Sequence, residues 1–144
     1  MEKKIRIVHE EDIIPTKFRH RDTARLITPE REGSTHCSVH ICTIPAPFTS
    51  DPVKPGVSEI VYEEDEILYL LEGEGTMIFD GKAHEFKPGT AVYIPAGCKY
   101  IQQARKDLKV LVIIAPSRQR SQWANRPDLI LLEPEDAVRK KKLD

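Results

Sequence analysis

Apolar residues in this chain recur at alternate positions in short runs, and prolines and glycines interrupt the runs before a helical period can develop. The alternation predicts strands over 5–9, 25–28, 35–44, 58–62, 66–72, 76–79, 82–86, 91–94, 99–103 and 108–115. Asp80-Gly81 lies between two of these runs and predicts a two-residue hairpin, whose turn positions both need φ > 0. Lys87-Pro88-Gly89 predicts a second turn, because proline presets φ and glycine accepts the left-handed position. The nearly unbroken apolar stretch 108–114 reads as a strand buried on both faces.

Strands at this spacing, with no helices alternating between them, indicate an all-β sandwich or jelly roll. A short terminal helix is expected from Pro134, followed by Glu135 and Asp136, since proline and acidic residues suit a first helical turn. The chain thus reads as a single domain over 1–144. Its barrel core covers about 24–116, a short strand precedes it, and an extension at 117–144 carries the helix.

Composition narrows the function classes. A net charge of −1 gives no basic footprint for nucleic acid or an anionic membrane, and no apolar run approaches the ~20 residues that a bilayer requires. The lysines at 140–142 adjoin acidic residues and read as a solvated tail. Residues 5–8 follow a strand pattern rather than that of a signal peptide. Cys37, Cys42 and Cys98 are odd in number and lack CxxC spacing, which favours reduced thiols in a cytoplasmic protein.

Two motifs carry a family resemblance. The first comprises Gly56, Ile60-Val61-Tyr62, Glu66 and Gly73; the second comprises Gly89, Pro95, Gly97, Tyr100 and Ala104. Around them, the stretches 65–75 and 87–97 match the strand–turn pattern of the cupins closely. The chain resembles a small single-domain cupin with degenerate metal-binding motifs, distantly similar to the ectoine synthase and ethanolamine-utilisation cupins. The resemblance implies a double-stranded β-helix, or jelly-roll barrel, and a homodimer in which the N-terminal strand or the tail crosses to a partner. It also implies a metal held by three histidines and a glutamate. Here Ile60, Tyr62 and Tyr100 stand at the histidine positions, Ala104 stands at the trailing asparagine position, and only Glu66 remains.

That substitution redirects the chemistry. Isoleucine cannot ligate, and a phenol of pKa ~10 costs roughly 4 kcal/mol to ionise at pH 7 before a metal compensates. No cofactor is expected, and a divalent ion at Glu66 with Tyr62, Tyr100 or His40 is disfavoured. Glu66, Tyr62 and Tyr100 are instead the catalytic candidates. A carboxyl group in an apolar barrel is expected to have a raised pKa suited to proton transfer, with a phenol acting as acid or oxyanion stabiliser.

If the motif parity faces inward, Ile60, Leu68, Cys98 and Gln102 line the same space as substrate-binding positions. Residues 35–43 alternate, with His36, Ser38, His40 and Cys42 on one face. Should that face point inward, His40 and His36 join the binding set. Glu63, Glu64 and Asp65 read as exposed loop residues, His84 as exposed and Arg25 as a surface arginine. Trp123 is a candidate to cap the barrel mouth or to meet a second subunit. The reading is acid–base chemistry of lyase, dehydratase, cyclase or isomerase type on a small polar metabolite. Its alternatives are a binding cupin without catalysis and a metallocupin with rearranged ligands.

Overall fold

The computed structural model describes residues 3–18, 20–49, 60–61 and 63–118, with Ile60 and Val61 described by backbone only. Tyr62, Trp123, the start of the strand expected over 58–62 and the expected terminal helix lie outside the described residues. The strands are β1 (Thr16–Lys17), β2 (Asp22–Ile27), β3 (Ser38–Ile44), β4 (Phe48–Thr49), β5 (Ile60–Val61), β6 (Asp65–Phe79), β7 (Lys82–Phe86), β8 (Ala91–Ile94) and β9 (Lys99–Ala115). All their pairings are antiparallel.

The long strands β6 and β9 run beside each other through the whole molecule and organise it. Their first pairing region, Asp65–Leu70 against Val110–Ala115, continues outward through β3, β2 and β1 on one side and β8 on the other. Their second, Gly75–Ile78 against Ile101–Ala104, is flanked by β4, β5 and β7. Between these regions the register slips three times, from Leu70 to Gly75, and such irregularities bend a ladder. Glycine is required at this corner. Gly73 has φ +109, and a Cβ on it would collide with the Asp107 carbonyl oxygen; a Cβ on Gly75 would collide with that of Gln103.

Side chains from both regions close on one core, including Leu70, Met77, Phe86, Leu108 and Val110. This is the all-β jelly-roll barrel expected. The Asp80-Gly81 turn has φ of 51 and 70, both positive as the hairpin requires. Two pairs of expected strands are continuous, because residues 73–75 and 104–107 stay in the ladder despite their polar composition. The stretch 108–114 alternates rather than being buried on both faces: Leu108, Val110, Val112 and Ile114 turn inward, and the residues between them are half-buried.

Residues 5–9 form no strand, which corrects the expected N-terminal strand. Ile5 and Ile7 are 92% and 79% exposed, and the edge beside β2 is already taken by β1. Val8 instead packs with Ile13, Ala24 and Ile41 on the outer side of β2 and β3. Among the described residues no helix is long and apolar enough to cross a membrane.

Candidate functional site

Strand register places the site residues on successive inward-facing rungs, roughly 7 Å apart along the strands. One rung runs Glu66, Ile114, Ser38; the next runs Leu68, Val112, His40, Arg25; the next runs Leu70, Val110, Cys42, Thr23. The polar face of β3 therefore points into the barrel, which resolves the parity of that strand. Tyr100 and Gln102 enter from the first half of β9, and both are buried.

The centre of the site is a carboxylate–phenol pair. The Tyr100 hydroxyl donates to Glu66 Oε1 at 2.8 Å, and each residue is only 3% exposed. A second polar chain lies on β3. The backbone N–H of Arg118 donates to Ser38 Oγ at 3.2 Å, and Ser38 Oγ lies 3.1 Å from His40 Nε2. Ser38 is fully buried, and its hydroxyl oxygen can accept both from the Arg118 N–H and from a protonated Nε2, or donate to a deprotonated one. Burial holds the His40 pKa well below its usual value, and the guanidinium groups of Arg25, Arg118 and Arg21 lower it further. The imidazole is neutral at physiological pH.

Three ion pairs brace this half of the barrel. Arg118 pairs with Glu64 at 3.3 Å, both almost wholly buried. Arg25 pairs with Glu30 at 3.0 Å and also donates to the Arg118 carbonyl. Arg31 pairs with Glu32 beside them. Glu64 and Arg25, expected at the surface, are therefore interior. Burying either charge alone would be costly, and its partner is what makes the position tenable. Asp65, half-exposed, accepts from the Ala96 N–H and the Tyr93 hydroxyl. The backbone bond first and the phenol second lower its pKa.

Glu66, Leu68, His40, Tyr100 and Gln102 border a partly open pocket together with Arg21 and Arg118. The cavity offers about 20 Å³, room for one or two waters. Five of the sequence candidates thus converge. Two do not: His36 is exposed beyond the start of β3, and Cys98 is exposed and lines a groove on the outside with Tyr93 and Lys99. Both fall where the chain has left the strand, so alternation no longer governs their direction. His84 is exposed and stacks on Phe79 at 4.3 Å. Sequence reasoning missed Arg21, Arg118 and the role of Ser38. Ser38 shares the His40 parity and could have been found, whereas Arg21 and Arg118 lie outside the strands, where no period marks them.

The donor set differs from the metal centre that the resemblance implies. Glu66 and Tyr100 are bonded to each other, His40 Nε2 is engaged by Ser38, and two guanidinium groups border the same space. Among the described residues no three His, Cys, Asp or Glu side chains are grouped to hold an ion. These residues do not fit a histidine-caged cation.

Comparison with known proteins agrees with the architecture. The family model of the EutQ-like cupin domain matches residues 52–113, somewhat less than half of the chain. Ectoine synthase from P. lautus superposes with a TM-score of 0.71 at 19% identity, covering 90% of this chain and 91% of that one. The polyketide cyclase RemF from Streptomyces resistomycificus superposes with a TM-score of 0.63 at 17% identity, covering 92% and 89%. Among curated sequences, the HTH-type transcriptional activator RhaS of Mannheimia succiniciproducens is 28% identical over 81 residues, 55% of this chain. The chain spans only 30% of the length of that relative.

Proposed function

We propose that this chain, which has the fold of the cupins and matches the EutQ-like cupin model over residues 52–113, is a small cupin enzyme that performs acid–base chemistry on a polar metabolite inside the barrel. The reading dispenses with a resident metal. One observation carries it: the buried 2.8 Å bond between the Tyr100 hydroxyl and Glu66 Oε1. An elimination illustrates what the pair can do. Glu66 takes a proton from carbon, and Tyr100 gives its proton to the departing hydroxyl, which leaves as water while the double bond forms. The phenolate then regains a proton from Glu66 across their shared hydrogen bond, and both groups return to their starting state. Cyclisation and isomerisation need the same two transfers, one proton removed and another supplied.

The fold is shared with proteins named as a synthase and a cyclase, which is consistent with such chemistry without specifying it. The test is a metabolite extract incubated with the protein and followed by mass spectrometry. The wild type is expected to deplete one component with loss of water or with no mass change. Glu66→Gln is expected to slow this by at least about 10²-fold while retaining its unfolding transition. A fully active Glu66→Gln protein would refute the assignment. Metal analysis of protein purified without added metal should find less than one ion per chain; stoichiometric iron, zinc or manganese would favour rearranged ligation instead.

The similarity to a transcriptional activator supports a second reading, a ligand-sensing module without turnover. It predicts a compound that raises the melting temperature by mass action while no product forms.

Two further properties belong to the proposal. Cys37, Cys42 and Cys98 are free thiols, which suits the reducing cytoplasm. Ile67, Tyr69, Leu71 and Tyr93 expose a shared apolar face on β6 and β8, which suits burial against a second copy.

A further inference from the structure

Two apolar surfaces of this molecule face water, and they adjoin each other. The first is the segment 3–7, in which every residue is exposed; Ile5 and Ile7 are the most exposed large apolar side chains among the described residues. The second is the outer face of β6 and β8. Ile67, Tyr69 and Leu71 share one parity there, and Tyr93 stands opposite Ile67.

The boundary between the two is sharp. The chain that follows Ile7 covers the outer face over β2 and β3, where Val8 and Ile13 pack with Ala24 and Ile41, and this cover reaches Leu111 on β9. Glu10 pairs with Lys109 on the same strand at 3.4 Å. Leu111 is the register partner of Tyr69 on β6, so the cover ends one strand short of the exposed rungs. Ile5 lies three residues before Val8, within about 10 Å of it along an extended chain. Neither isoleucine folds back onto the β6 rungs of its own molecule, since both keep their exposure.

A chain that carries an uncovered apolar arm, and beside its root an uncovered apolar sheet face, can bury both against a second copy of itself. In an extended arm, residues two apart point to one side about 7 Å from each other, which is also the spacing of Ile67, Tyr69 and Leu71 along β6. Two-fold symmetry then sets each arm on the opposite face and closes the assembly at two copies.

We propose that two copies of this chain exchange their N-terminal segments, with Ile5 and Ile7 of each seated on Ile67, Tyr69 and Tyr93 of the other. The proposal rests on the reading that a second copy covers this face, and it names what that copy brings to it.

The experiment is sedimentation equilibrium on the full chain and its variants, with circular dichroism as the check on folding. The wild type is expected to be a dimer. Ile5→Glu/Ile7→Glu, placed on exposed side chains, should weaken the dimer at least about a hundredfold with an unchanged spectrum, and Ile67→Lys should do the same. The decisive sample is an equimolar mixture of these two variants. The first keeps an intact face and the second an intact arm, so one arm–face contact re-forms. Dimers are therefore expected in the mixture at a concentration where each variant alone is a monomer. A mixture that stays monomeric would overturn the exchange. A dimer lost with Ile67→Lys but untouched by Ile5→Glu/Ile7→Glu would overturn it too, and would leave the second copy in place as plain packing of sheet on sheet. A monomeric wild type would overturn both readings.

Discussion

On β3 the residues turned into the barrel are Ser38, His40 and Cys42; on β6 the residues turned away from it are Ile67, Tyr69 and Leu71. An ordinary antiparallel sheet does the opposite, with apolar side chains inward and polar ones toward water. The inversion has two separate meanings. Inside, hydroxyl, imidazole and guanidinium groups are buried in hydrogen-bonded and ion-paired sets, and such an arrangement is retained for recognition or chemistry more readily than for stability. Outside, an aromatic and aliphatic surface faces water on β6 and β8, the face on which the proposed second copy would sit. On the β3 side the same outer face is already covered by Val8 and Ile13, which confines the uncovered part to β6 and β8.

The largest stability effect should come from the interior. Glu64→Ala removes the carboxylate that pairs with the buried Arg118 guanidinium, and a loss of about 3–5 kcal/mol is expected in urea unfolding. A loss below about 1 kcal/mol, typical of an exposed pair, would place that pair effectively in solvent.

A smaller effect should follow pH. His40 is held neutral in the folded state by burial and its arginine neighbours, while the unfolded chain titrates near 6.5. Below that value the unfolded state binds the extra proton and the folded state does not. This contribution is therefore fully present above pH 6.5 and falls by up to about 1.4 kcal/mol per pH unit beneath it, until the lowered folded pKa is reached. His40→Gln should flatten the slope of stability between pH 6.5 and 5. An identical slope in the variant would assign the acid sensitivity elsewhere.

The outer face should respond least in stability and most in mass. Ile67→Lys changes monomer stability by no more than about 0.5 kcal/mol, yet it is expected to convert a dimer to a monomer in light scattering. A wild-type monomer would show that this apolar face serves some other purpose.

Much of this was legible in the chain. The hairpin at Asp80-Gly81 and strands β7 and β8 follow from turn chemistry and a period of two, whereas the inward direction of Glu66, Leu68, Tyr100 and Gln102 was expected only with the family resemblance to choose the face. The inward face of β3 was undecided, because its alternation is equally clear on both sides and only pairing with β2 and β9 selects one. His36 and Cys98 failed because parity was carried past the strand ends. Glu64 and Arg25 failed for a different reason. A charged residue reads as exposed from local pattern, and each becomes tenable inside only through a partner distant in sequence or set in a neighbouring loop, Arg118 for the one and Glu30 for the other. Arg21 carried no signal at all, since nothing local distinguishes it from the other basic residues of 17–21.

The passage of β6 and β9 through both halves of the barrel has a mechanical consequence. The wall bearing Glu66 and the tightly packed end around Leu70, Phe86 and Leu108 are made of the same two strands, so neither can melt while the other stays whole. Hydrogen exchange along both strands should then report a single cooperative unit. Whatever breathing admits a guest is then expected of the connections between strands rather than of this ladder.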